Sequence, residues 1–88
     1  MKTTDSGDQL IIYGSAHCGD CHRSKRFLDS HDVAYEWVEI DDDPASIALV
    51  ERINRGYRSV PTIIFPDGSA LTEPSNRQLA EKLGLNAG

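Results

Sequence analysis

Leu10-Ile11-Ile12-Tyr13-Gly14-Ser15-Ala16-His17-Cys18-Gly19-Asp20-Cys21 is the stretch on which the fold turns. Gln9 to Tyr13 is a short, β-rich apolar run of the kind buried on both faces of a sheet, and Gly14-Ser15 ends it. From Cys18 onward the period changes. Ser24, Phe27, Leu28 and His31 recur at i, i+3, i+4 and i+7, with Arg23, Lys25, Arg26 and Asp29 on the other side, which predicts an amphipathic helix beginning at the cysteines. Downstream, Ala34 to Ile40 is rich in aromatic and β-branched residues and predicts a second strand, in which Tyr35 and Trp37 pack.

The acidic run Asp41-Asp42-Asp43 precedes Pro44, so Asp43 is the expected N-cap and Pro44 the first helical residue. The acids then sit where the helix dipole favours them, and the run reads as a cap before it reads as a cation site. Ile47, Val50, Ile53 and Tyr57 keep helical spacing up to Gly56, the expected stop. Val60 to Phe65 predicts a third strand with Pro61 at its start, where a missing N–H costs least. Pro66-Asp67-Gly68 forms a turn from which Ala70-Leu71-Thr72 pairs back, and Ser75 with Gln78 makes a capping box for a last helix through Leu79 and Leu83 to Gly84. The order β-α-β-α-β-β-α predicts an α/β fold: a four-stranded mixed sheet flanked by three helices.

The chain has 88 residues, 39% hydrophobic and 26% charged, which fits one small domain over residues 1–88 with a flexible polar segment at 1–8. Its formal net charge of −5 argues against nucleic acid as a partner. The only strongly apolar run near the start is too short for a signal sequence or a membrane span, so the expected address is cytoplasmic, without membrane contact.

Two cysteines three residues apart cannot staple a secreted scaffold, so they serve chemistry or metal. In an open α/β sheet the functional crevice lies beyond the carboxyl ends of the strands, which is where Cys18-Gly19-Asp20-Cys21 falls. Cys18 stands at the helix N-terminus, where unpaired N–H groups and the dipole favour a thiolate, and is the expected nucleophile. Cys21, one turn inside, is the expected buried resolving thiol, and Gly19 lets the backbone turn sharply between them. Asp20 places a carboxylate that opposes ionisation near the Cys18 sulfur, and His17 can donate to that sulfur or raise the local positive potential. Three other readings stay open: half a zinc site completed by His17, His22 or His31, an iron–sulfur site shared with a second molecule, and a small structural disulfide.

Cys18-Gly19-Asp20-Cys21, then Ser59-Val60-Pro61-Thr62 some forty residues on, then Asp67-Gly68-Ser69 and Thr72-Glu73-Pro74-Ser75, together resemble the glutaredoxin family, particularly its short members called mycoredoxins. The likeness runs from Leu10 to Leu85. It implies a thioredoxin fold in which Pro61 is cis and Val60 offers backbone groups to an extended thiol substrate beside the cysteines. It also implies that the start of the last helix, at Ser75 and Asn76, helps hold a low-molecular-weight thiol. Arg58, just ahead of Val60, joins the candidate thiol-binding residues, and Tyr57 precedes it. The expected activity is thiol-disulfide oxidoreduction in cell redox homeostasis. A monomer without a tightly bound cofactor reduces mixed disulfides on partner proteins, with mycothiol or glutathione as co-substrate. The alternatives are a thioredoxin-like dithiol donor, for example to ribonucleotide reductase, recharged by a flavoprotein reductase, and an iron–sulfur or zinc-binding module.

Overall fold

Alternation along the first strand decides how the layers form, because successive side chains leave a strand on opposite faces. The computed structural model describes residues 9–85; the flexible segment expected at residues 1–8 lies outside them. Its elements are β1 (Leu10–Gly14), α1 (Gly19–Ser30), β2 (Tyr35–Glu39), α2 (Pro44–Ile53), β3 (Thr62–Ile64), β4 (Ala70–Thr72) and α3 (Asn76–Leu83). They form one mixed sheet in the order β2-β1-β3-β4. β1 runs parallel to β2 and antiparallel to β3, and β4 returns antiparallel on β3. This is the predicted element order and a thioredoxin fold.

Leu10 and Ile12 of β1, with Ile63 of β3, point to the face covered by α1 and α3, where they pack with Phe27, Leu28, Leu79, Ala80 and Phe65. The opposite face is less covered than the apolar run implied: Ile11 and Tyr13 are only half-buried, because the ten-residue α2 lies there with Val50 as its one buried side chain. Polar bonds do part of the work on that side. Buried Thr62 donates to the Ser59 carbonyl and accepts from Asn54 Nδ2, while Asn54 Oδ1 accepts from Thr72, tying the end of α2 to β3 and β4.

The acidic run divides its labour. Asp43 is the N-cap of α2 and Pro44 its first residue, yet the Asp43 side chain accepts the Ser46 hydroxyl at 2.7 Å rather than a backbone N–H. Asp41 does not cap at all and reaches across to the first loop. Tyr57 corrects the expected helical stripe: α2 ends at Ile53 with Asn54 as its cap, so Tyr57 lies outside it and is 71% exposed. Ser75 and Gln78 make the predicted reciprocal capping box, and Gly84 closes α3 in the left-handed region at φ 72°. No helix among the described residues is long and apolar enough to cross a membrane.

Candidate active site

The carboxyl ends of β1 and β2 carry the loop that delivers Cys18. Glu39 closes β2, and its two carboxylate oxygens accept the Ala16 N–H at 3.1 and 3.2 Å. Ser15 Oγ accepts the His17 N–H and donates to Asp41 Oδ2 at 2.9 Å, and the Cys18 N–H donates to the Ser15 carbonyl. The His22 ring Nε2 lies 2.8 Å from the Ala16 carbonyl; since a carbonyl only accepts, that nitrogen carries the hydrogen. These bonds fix every residue from Ser15 to Cys18 before α1 begins.

Cys18 is itself the N-cap of α1: its sulfur accepts the Cys21 N–H at 3.3 Å. A cysteine thus occupies the place where serine or aspartate commonly satisfies a first-turn donor. The half-buried Cys18 thiol also donates to the Val60 carbonyl at 3.8 Å, across 42 residues of sequence. The Val60–Pro61 bond is cis, as the resemblance implies. Val60 is half-buried, and its own N–H has no hydrogen-bond partner among the described residues. Pro61 is buried, and its carbonyl accepts the N–H of Glu73, which brings the approach to α3 against the same segment.

Cys21 is fully buried, and its thiol is pushed up to about 12. Burial is the main cause, reinforced by the hydrogen bond and charge of Cys18 and the charge of Asp20, against a lowering contribution from the Ser15 backbone. The linkage has a definite sign. The unfolded chain releases this proton first as pH rises past about 9, so the folded state's advantage is complete below that value and is lost progressively up to about 12. In urea unfolding of the reduced protein, the stability gap between wild type and Cys21→Ala should be constant below pH 8. It should shrink by something near 1 kcal/mol per pH unit above 9. A gap unchanged to pH 11 would mean the buried thiol ionises like a free one.

The remaining candidates are placed unevenly. Arg58 is half-exposed, with its guanidinium 3.6 Å from Asp41. Ser75 spends its hydroxyl and its N–H on Gln78, and the buried Oδ1 of Asn76 has no partner among the described residues. His17 is exposed, and no hydrogen bond joins its ring to the Cys18 sulfur. Asp20 pairs with Arg23 at 2.8 Å. Gly19 corrects its expected role: its φ is not in the left-handed region and a Cβ there would meet nothing within 4 Å, so the turn does not need glycine. The side chains not anticipated are Glu39 and Asp41; the only trace of them is their position at the end of a strand parallel to β1. Among the described residues, no group of three or more His, Cys, Asp or Glu side chains is arranged to hold a metal ion.

The glutaredoxin family model matches residues 10–69. A Mycobacterium tuberculosis protein bearing the name glutaredoxin is 42% identical over 79 residues, covering 90% of this chain and 94% of its own. Mycoredoxin 1 of Corynebacterium glutamicum is 29% identical over 74 residues, covering 84% and 91%. Among solved structures, the methanoredoxin of Methanosarcina acetivorans superposes with a TM-score of 0.77 at 29% identity, covering 88% of this chain and 85% of that one.

Proposed function

The chain belongs to the glutaredoxin family, whose members are thiol-disulfide oxidoreductases, and from that premise we propose that it reduces protein mixed disulfides with a low-molecular-weight thiol, mycothiol before glutathione. The observation that carries this reading is the Cys18 sulfur, half-buried at the start of α1 and 3.8 Å from the carbonyl of Val60, whose N–H is unpaired among the described residues. An extended cysteine derivative pairing with Val60 as an added strand would bring its own sulfur to Cys18.

The Cys18 thiolate attacks the small-thiol sulfur of the mixed disulfide. A bond forms between the two, the protein–small-thiol bond breaks, and the electron pair leaves with the protein thiolate, which takes up a proton. A second small thiol, as thiolate, then attacks the adduct, releasing the oxidised small-thiol dimer and regenerating Cys18. Cys18 is therefore the nucleophile, Cys21 the alternative resolving thiol, and Val60 and Pro61 the substrate shelf, with Ser75 and Arg58 at its margins. A cytoplasmic, reducing compartment suits this cycle. The choice of mycothiol rests on the likeness to mycoredoxins.

The test is steady-state reduction of a defined peptide mixed disulfide with mycothiol, and separately with glutathione, each recycled by excess of the same free thiol. Sustained turnover with the small thiol alone is expected, faster in the mycothiol series. Turnover that appears only when a flavoprotein reductase is added would overturn the reading in favour of a dithiol donor.

A further inference from the structure

We propose that Asp41 is a specificity-determining residue of this thiol site, turning it away from anionic small thiols and toward uncharged, hydroxyl-rich ones by masking Arg58. The inference rests on the thiol-dependent reading above and adds the residue that sets the charge preference for the thiol. Arg58 stands two residues before Val60, and a carboxylate on an incoming thiol that pairs with Val60 would need a cation there. Its guanidinium already has one: Asp41 Oδ1 lies 3.6 Å away. The other oxygen of the same carboxylate accepts the Ser15 hydroxyl at 2.9 Å, so Asp41 is anchored to the loop that carries Cys18 and does not depend on Arg58 for its position.

Beside it, Glu39 occupies the Ala16 N–H, a backbone donor that would otherwise be open to an anion, and exposed Asp42 adds another negative charge. The Cys18 loop is therefore flanked by carboxylates, and the guanidinium that precedes Val60 already has one beside it. A tripeptide thiol with two carboxylates and one ammonium arrives with a net negative charge and is repelled. A thiol whose cysteine is acylated and amide-linked to a sugar carries no charge and loses nothing, while its hydroxyls can donate to Glu39 and Asp41.

The test is a charge series on one carrier peptide, in mixed disulfide with glutathione (anionic), N-acetylcysteine amide (neutral) or cysteamine (cationic), comparing wild type with Asp41→Asn. The amide oxygen of Asn can still accept from Ser15, so the substitution removes charge more than structure. Comparing kcat/KM as ratios to the neutral probe also divides out any general loss. At low salt the glutathione-to-neutral ratio should rise about two- to fivefold in the variant, the range set by one exposed ion pair, and the cysteamine-to-neutral ratio should fall. Both shifts should appear in KM and fade at about 0.5 M salt. Arg58→Gln in the Asp41→Asn background should cancel the gain with glutathione. Arg77, in the first turn of α3, acts alike in both proteins and drops out of the comparison. Ratios that do not move, or that move together and regardless of salt, overturn the proposal while leaving the thiol-dependent reading intact. A wild type inert toward all three probes overturns that reading and this inference with it.

Discussion

Cys18→Ser should bring mixed-disulfide reduction down to the uncatalysed background, roughly a thousandfold or more below wild type, whereas Cys21→Ser should stay within about threefold of it when a small thiol is supplied. The asymmetry follows from where each sulfur sits. Cys18 caps α1 at the edge of the fold and faces Val60; Cys21 is fully buried one turn further in. With its thiol pushed up to about 12, Cys21 is ionised to roughly one part in 10⁵ at neutral pH. Once Cys18 is consumed in a mixed disulfide its charge no longer opposes Cys21, but burial, the largest cause, remains. A free small thiol, ionised to a few per cent, is then the more available nucleophile at the Cys18 adduct. The check is single-turnover and steady-state kinetics of both variants with the small thiol in excess. Equal inactivity of the two would mean Cys21 is obligatory and would favour the dithiol donor.

The features legible in the sequence are those that local chemistry writes. The capping box at Ser75 and Gln78, Pro44 at the head of α2 and the sulfurs at the start of α1 each depend on residues within four of one another, and the structure has all three. What the sequence hides are pairings decided by strand order. In the sequence Asp41 reads as part of a helix cap because its neighbours are Asp42, Asp43 and Pro44; only the parallel register of Gly14 with Glu39 shows that the end of β2 overhangs the Cys18 loop. Asn54 belongs to no motif or stripe in the sequence, yet it joins Thr62 and Thr72 across two strands. Tyr57 kept helical spacing by coincidence, since the chain leaves the helix at Asn54 and turns through Arg55 and Gly56, both with positive φ. Periodicity cannot tell where a helix stops when the next apolar residue happens to fall in phase.

Gly14 does more than end β1, and Gly14→Ala should destabilise the fold by about 1–3 kcal/mol, the usual cost of forcing a methyl into a filled core. A Cβ at this position would stand 2.7 Å from Cys21 Sγ, 2.7 Å from Trp37 Cη2 and 2.9 Å from Trp37 Cζ3. None of the three can retreat cheaply. Cys21 is fully buried on α1, the Trp37 indole packs against the core with the Lys25 ammonium 4.1 Å from its ring centroid, and the Gly14 carbonyl accepts the Ile40 N–H while its register on Glu39 fixes the strand. The easiest relief is for α1 to tilt away from β1 at its first turn, which carries Cys18 off Val60. The variant should therefore lose turnover as well as stability. At this chain length each kcal/mol lowers Tm by about 4–8 °C, and Trp37, the protein's only tryptophan, reports the local change by its fluorescence. Removing one of the crowding partners separates the contact from a general intolerance. In a Cys21→Ala background Gly14→Ala should cost less than in wild type, and the difference between the two costs measures the coupling of Gly14 to the sulfur. A Gly14→Ala protein within 0.5 kcal/mol of wild type, with unshifted tryptophan emission, would show that the indole has room to move and that glycine at the end of β1 is a matter of chain reversal alone.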